Sequence, residues 1–290
     1  MSSSKQILSR SWSTFRKLMK IKKFFAGMSI FLSIVLTGVI GPLIYNVDPN
    51  SKVGFPTSPP SSKFPLGTDH LGRDVLANLL SGIRNSLFIG SVAMLIALTI
   101  GVSIGSIAGF RGGVVDEILM MFTNIVYTLP SILLMILAAS YLKTRTPLIV
   151  SLIIGFTSWP WLARAVRAQI MSLKEREFLY MSKMSGMSSS KIIFQDLLPN
   201  MGSYIFMSIA LLLSIGMVSE AGLSMLNAGV TEGSSLGIML YWASVWQAIQ
   251  LGYWWWFVPP GLFLILTTTS LLLLSTSVDE YLNPRLRGGK

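Results

Sequence analysis

Apolar residues gather along the chain in six long blocks, over residues 24–46, 87–110, 118–142, 148–163, 204–226 and 256–276. Crossing the hydrocarbon of a bilayer takes about 20 mainly apolar residues in helical form. Five blocks meet that length. The fourth is shorter and is interrupted by Trp159-Pro160-Trp161. It is taken as a span because a hydrophilic stretch follows it and the number of crossings must close. The pattern predicts an all-α polytopic membrane protein with six transmembrane helices.

Two polar intervals carry patterns of their own. The first begins with Pro49, Pro56, Pro59, Pro60 and Pro65, which predict an extended loop. From His70 onward Leu71, Val75, Leu76, Leu79, Leu80 and Ile83 recur at helical spacing. This predicts an amphipathic helix at the outer interface or against other spans, capped by Thr68 or Asp69. The second interval, 164–202, reads as helix, break, helix. Gly186 suits a left-handed stop, Ser188 or Ser189 a cap, and Pro199 a position past the end. An ordered polar insertion of this length between two spans is a candidate docking site for a cytoplasmic partner. A third interval, 227–255, is rich in Gly and Ser and then in aromatic residues, including Tyr241, Trp242, Trp246 and Tyr253 to Trp255. It fits an interfacial aromatic belt or a substrate-facing lid.

Composition agrees with a lipid solvent. Hydrophobic residues make up 52% of the chain and charged residues 12%, with a mean hydropathy of +0.63. Soluble domains average about 25% charged residues. With no cysteine, disulfides and thiolate metal sites are excluded. The net charge of +11 would suit nucleic acid, but its placement argues against that. Six crossings put all but six of the 23 basic residues on one side, the exceptions being Lys52, Lys63, Arg73, Arg84, Lys143 and Arg145. The richer side is expected to be cytoplasmic, with both termini there. The first apolar block is too long for the core of a signal peptide and reads as a retained helix. These readings divide the chain into a cytoplasmic N-terminus with the first span (1–46), an extracytoplasmic loop with its amphipathic helix (47–86), a core of five spans (87–276) and a cytoplasmic tail (277–290).

Candidate chemistry is sparse. His70 is the only histidine, and no phosphate-binding G-x-x-x-x-G-K-[ST] loop occurs, so nucleotide hydrolysis has to come from another polypeptide. Glu220 is the main carboxylate within a span and is a candidate for a pathway or gating role, with a local structural hydrogen bond as the alternative. An ion-coupled carrier is expected to show more intramembrane acids, and an intramembrane enzyme would need paired acids or a Ser/Lys or His cluster. Pro130 and Pro160 are expected to bend the third and fourth spans.

The run Phe64-Pro-Leu-Gly-Thr-Asp-His-Leu-Gly-Arg-Asp-Val75 resembles the outer-loop signature of the C-type permease subunits of dipeptide, oligopeptide and nickel ABC importers. Its signature positions are Gly67, Thr68, Asp69, Gly72, Arg73 and Asp74. Further agreement lies in Ser158-Trp159-Pro160, Ala163-Arg164, the stretch from Glu220 to Leu226, and Asn283-Pro284-Arg285-Leu286-Arg287. The family's ATPase-docking motif is kept in part. Gly186 and Leu198-Pro199 hold the spacing, while Tyr180-Met181-Ser182 replaces its Glu-Ala-Ala.

The resemblance implies a machine of five parts. This chain would pair with a homologous second permease above two cytoplasmic ABC ATPases, which bind the ATP and Mg. An extracytoplasmic solute-binding protein would deliver cargo. Tyr180, Met181, Met184, Gly186, Met187, Ile192, Leu198 and Pro199 are the expected docking residues; Glu220, Pro130 and Trp159 are the expected pathway residues. No cofactor or metal is expected in this chain. Di- and oligopeptides are the expected cargo, with nickel or a metal chelate as the alternative.

Overall fold

The computed structural model describes residues 17–282, and the regular structure among them is helical. The basic residues Lys5, Arg10 and Arg16 and the stretch from Asn283 to Arg287 lie outside the described residues. The order is α1 (Lys22–Ile44), α2 (Val75–Arg111), α3 (Gly113–Thr128), α4 (Ser131–Ser140), α5 (Pro147–Thr157), α6 (Pro160–Lys174), α7 (Glu177–Met184) and α8 (Ser189–Ile192). A π-helical turn (Ile193–Leu197) leads into α9 (Leu198–Asn200), α10 (Gly202–Met225), α11 (Leu236–Val245) and α12 (Trp254–Leu282).

Helices α1, α2, α10 and α12 are each long and apolar enough to cross a membrane. Two broken pairs bring the number to six when each pair is taken as one span. α3 and α4 meet at 79°, and α5 and α6 at 44°. Proline causes both breaks. Leu129, ahead of Pro130, is forced into extended backbone at φ −76°, ψ 132°. Pro160 sits in the first turn of α6, where its missing N–H costs nothing, so one helix stops at Ser158 and another starts.

Helix α2 is the mast of the bundle. At 37 residues it is about 55 Å long, well beyond the roughly 30 Å hydrocarbon layer. The amphipathic helix predicted from His70 and the span predicted from Leu87 are therefore one unbroken rod. Nothing between Ile83 and Leu87 breaks a helix, so the chain continues. Its cap is Asp74, neither Thr68 nor Asp69: the Asp74 carboxylate accepts from the N–H groups of Leu76 and Ala77. Val75, Ala77, Asn78, Leu79, Leu80, Gly82 and Ile83 are all buried, which takes this end off the membrane surface and into the protein.

Lipid tails are as apolar as leucine, so spans associate through close packing rather than hydrophobic drive. Small residues on α2 permit that approach. A methyl group added at Gly216 of α10 would lie 2.9 Å from the Cα of Gly90, so the two backbones touch at this crossing.

Candidate functional site: a docking arm and a cavity between broken spans

The arm after α6 is anchored before it is exposed. Lys174 donates to the carbonyls of Gly109 and Phe110 at 3.2 and 2.8 Å, placing a cation at the negative end of α2. Arg167 clasps both carboxylate oxygens of Asp116 on α3. From this base α7 runs out to Gly186, whose φ of +73° reverses the chain as expected. Ser188 takes the extended conformation of a cap, without a capping bond from its side chain.

The arm has two faces. Leu179, Ile192 and Leu197 are buried in one core cluster with Val166, Ile170 and Leu173. Tyr180, Met181, Met184 and Phe194 point away, with exposures of 60, 65, 90 and 70%. Met187 and Leu198 are half-buried. Ile192 is thus an anchor and not a contact residue, because its helix face turns toward the core. Phe194, two residues on, is exposed instead. Pro199 does not follow the helix end but lies exposed within the first turn of α9. Lacking an N–H, it cannot bond four residues back, and the turn ahead of it widens into the π-helical form.

A second feature forms where the broken spans meet. A cavity of about 270 Å³ is lined by Tyr127, Pro130, Thr157, Ser158, Trp161 and Ser219, among others. Non-helical backbone at membrane depth is tolerated only inside protein or beside water, and here both breaks open onto one space. The Trp161 indole N–H is shut from solvent and has no acceptor among the described residues. Trp159, the tryptophan predicted to face the pathway, is 5% exposed and packs into the core with Leu162 and Val166. Glu220 does not line the cavity either. Its carboxylate is fully enclosed and accepts from Ser235 at 2.6 Å, Ser224 at 2.7 Å and Ser86 at 3.4 Å. This is the arrangement of the local structural alternative, tying α2, α10 and α11 together.

The outer-loop signature turns inward. Thr68 donates to the Phe55 carbonyl at 2.6 Å and accepts from the Ser58 N–H at 2.8 Å. One Asp69 oxygen accepts from the N–H groups of Leu71 and Arg73, at 2.8 and 2.9 Å. Beyond its cap, Asp74 accepts from the Tyr45 hydroxyl at 2.6 Å. Gly67 and Gly72 have φ of +63° and +77°, a region that disfavours side chains. The His70 ring stacks on Trp242, Trp246 and Trp256, with centroids 4.9 to 5.2 Å away. Burial lowers its pKa below the ordinary 6.5; Asp69 opposes that shift and Arg73 adds to it. The tryptophans therefore brace this loop, a role neither the belt nor the lid reading anticipated.

Six candidate crossings, bent at two prolines and carrying a polar arm, match a known architecture. Residues 101–288 fit the family described as the binding-protein-dependent transport system inner membrane component. The chain belongs to that family. This inner membrane component is 35% identical to the dipeptide transport system permease protein DppC of Bacillus subtilis (strain 168), over 97% of this chain and 87% of that protein. It is 36% identical to the oligopeptide transport system permease protein OppC of the same organism, over 70% of this chain and 67% of that protein. To an OppC of Mycobacterium tuberculosis (strain ATCC 25618 / H37Rv) it is 35% identical, over 63% of each chain. The inner membrane component is a multi-pass membrane protein and a permease rather than a catalytic enzyme.

Two features escaped the sequence reading. Phe194 is exposed between buried Ile192 and Leu197, and helical spacing alone did not single it out. Trp161 could not be told from Trp159 until the break at Pro160 fixed which ring faces the cavity.

Proposed function

We propose that this chain is one of two membrane subunits of an ATP-driven importer of di- and oligopeptides. The observation carrying the proposal is the set of exposed apolar side chains, Tyr180, Met181, Met184 and Phe194, on an arm whose Leu179, Ile192 and Leu197 are locked into the spans. Exposed apolar groups rimmed by polar residues mark a protein-binding surface. An ABC ATPase bound there, with its ATP and Mg, can pull on α6 and thereby on the break at Pro160 and the cavity beside it. Rigid-body coupling of this kind switches a bundle between two packings. A homologous permease covers the cavity from the other side, and an extracytoplasmic binding protein delivers cargo. Both termini then lie on the ATPase side, in the plasma or inner membrane of a bacterial cell. Peptide cargo is supported by the names of the relatives aligned along most of the chain.

The reading is tested by uptake of a radiolabelled dipeptide into vesicles reconstituted with this chain and its partner subunits. The expected result is uptake that needs ATP and persists without an ion gradient. Uptake driven by a proton or sodium gradient with no ATP would overturn it.

A further inference from the structure

Most of the outer signature is consumed in holding its own loop, and one side chain is left over. Arg73 lines a cavity of about 340 Å³ on the outer side, together with Asp69, Asn50, Arg145, Trp242 and Trp256. Its Nε is shut from solvent and has no acceptor among the described residues. A buried, unpaired cationic nitrogen is costly and calls for a partner. Arg145, across the cavity, spends its guanidinium on the carbonyls of Gly229, Asn227 and Leu142. Neither arginine forms a salt bridge among the described residues. Asp69, the only carboxylate in the wall among the described residues, accepts two backbone N–H groups on one of its oxygens. The cavity thus has two guanidinium charges against one anion.

We infer that this cavity is a binding site for a small solute carrying a carboxylate, with Arg73 as the group that reads it. The planar guanidinium matches a carboxylate in a two-bond fork through its two terminal Nη groups, since Nε is enclosed. Trp242 and Trp256 supply an apolar wall beside it, and their rings are fixed from behind by His70. The volume falls in the range of small-molecule sites, at its lower end. A short peptide presents this chemistry at its C-terminus: one carboxylate next to one side chain. In that form the inference rests on the peptide reading above and adds an outer holding site ahead of the spans.

The chain lacks cysteine, so a single Asn50→Cys variant reports on the cavity without background. In lipid nanodiscs, its labelling by a maleimide is followed with the dipeptide Ala-Phe, its C-terminal amide, or N-acetyl-phenylalanine present. The free dipeptide and N-acetyl-phenylalanine should slow labelling, and the amide should need about tenfold or more higher concentration. Adding Arg73→Gln should abolish the difference between acid and amide, while Arg73→Lys should keep part of it. Equal protection by acid and amide would overturn the inference, as would no protection at millimolar dipeptide. Protection that appears only when the solute-binding protein is added would make this a protein-docking face and also overturn it. Protection by N-acetyl-phenylalanine in a chain whose complex imports no peptide would keep the site and sink the peptide reading. Import without protection would do the reverse. Melting temperatures of the Arg73 variants within a few degrees of the parent show that each variant is folded.

Discussion

The outer signature loop and the inner arm are both short polar insertions that carry a family motif, yet they use their side chains in opposite directions. In the outer loop Thr68 and Asp69 aim their oxygens at the loop's own N–H groups, Asp74 caps α2, and His70 stacks on the aromatic rings beside them. In the arm the apolar side chains of Tyr180, Met181 and Met184 face away from the protein, while Leu179, Ile192 and Leu197 are buried and hold it down. A motif that satisfies itself builds structure. A motif that leaves apolar groups exposed offers a surface, which the proposed function assigns to a partner.

The contrast fixes which substitutions strike folding and which strike assembly. Ile192→Ala removes an anchor that is 2% exposed and should cost about 3 kcal/mol, read as a lower melting temperature and loss of protein from the membrane. Asp74→Ala uncaps α2 and leaves the Tyr45 hydroxyl without its acceptor; about 2 kcal/mol is expected in the same measurement. Gly186→Val forces a branched side chain into left-handed backbone and should cost about 1–2 kcal/mol. Among the described residues no atom crowds that position, so the damage is to the arm's direction. ATP hydrolysis by the assembled importer should continue while uptake falls. Met184→Ala, at 90% exposure, should change stability by less than about 0.5 kcal/mol yet weaken co-purification of the ATPase. A Met184→Ala chain that melts early, or an Ile192→Ala chain that melts normally but loses the ATPase, would exchange the roles assigned to the two faces.

The smallest expected effect is pH dependence in the outer loop. Burial lowers the His70 pKa below 6.5, so the folded loop favours the neutral ring. Below about pH 6.5 the unfolded chain binds the proton first, and stability falls as pH falls. Hydrogen exchange of the loop amides should quicken between pH 7 and pH 5 in the parent and change less in a His70→Gln variant.

The apolar blocks were enough to read the crossings, because hydrocarbon demands long runs and tolerates little else. The breaks at Pro130 and Pro160 were legible because proline removes a backbone donor and disfavours helix in the residue before it, although Pro42, Pro259 and Pro260 sit inside helices that run on. Where the outer helix begins was not, since Thr68, Asp69 and Asp74 are all good caps and only tertiary contacts choose among them. The facing of Ile192, Trp159 and Glu220 depended on which neighbours the bends brought close. Glu220 in particular reads as functional in a linear sequence, while Ser86 and Ser235, 134 and 15 residues away, make it a knot in the bundle.

Labelling of a single cysteine at position 184 tests the central claim most directly. A Met184→Cys variant in native membranes should react with a membrane-impermeant maleimide in inside-out vesicles and not in intact cells, and bound ATPase should shield it. Reaction from the outside of intact cells, or reactivity unchanged by saturating ATPase, would contradict the account.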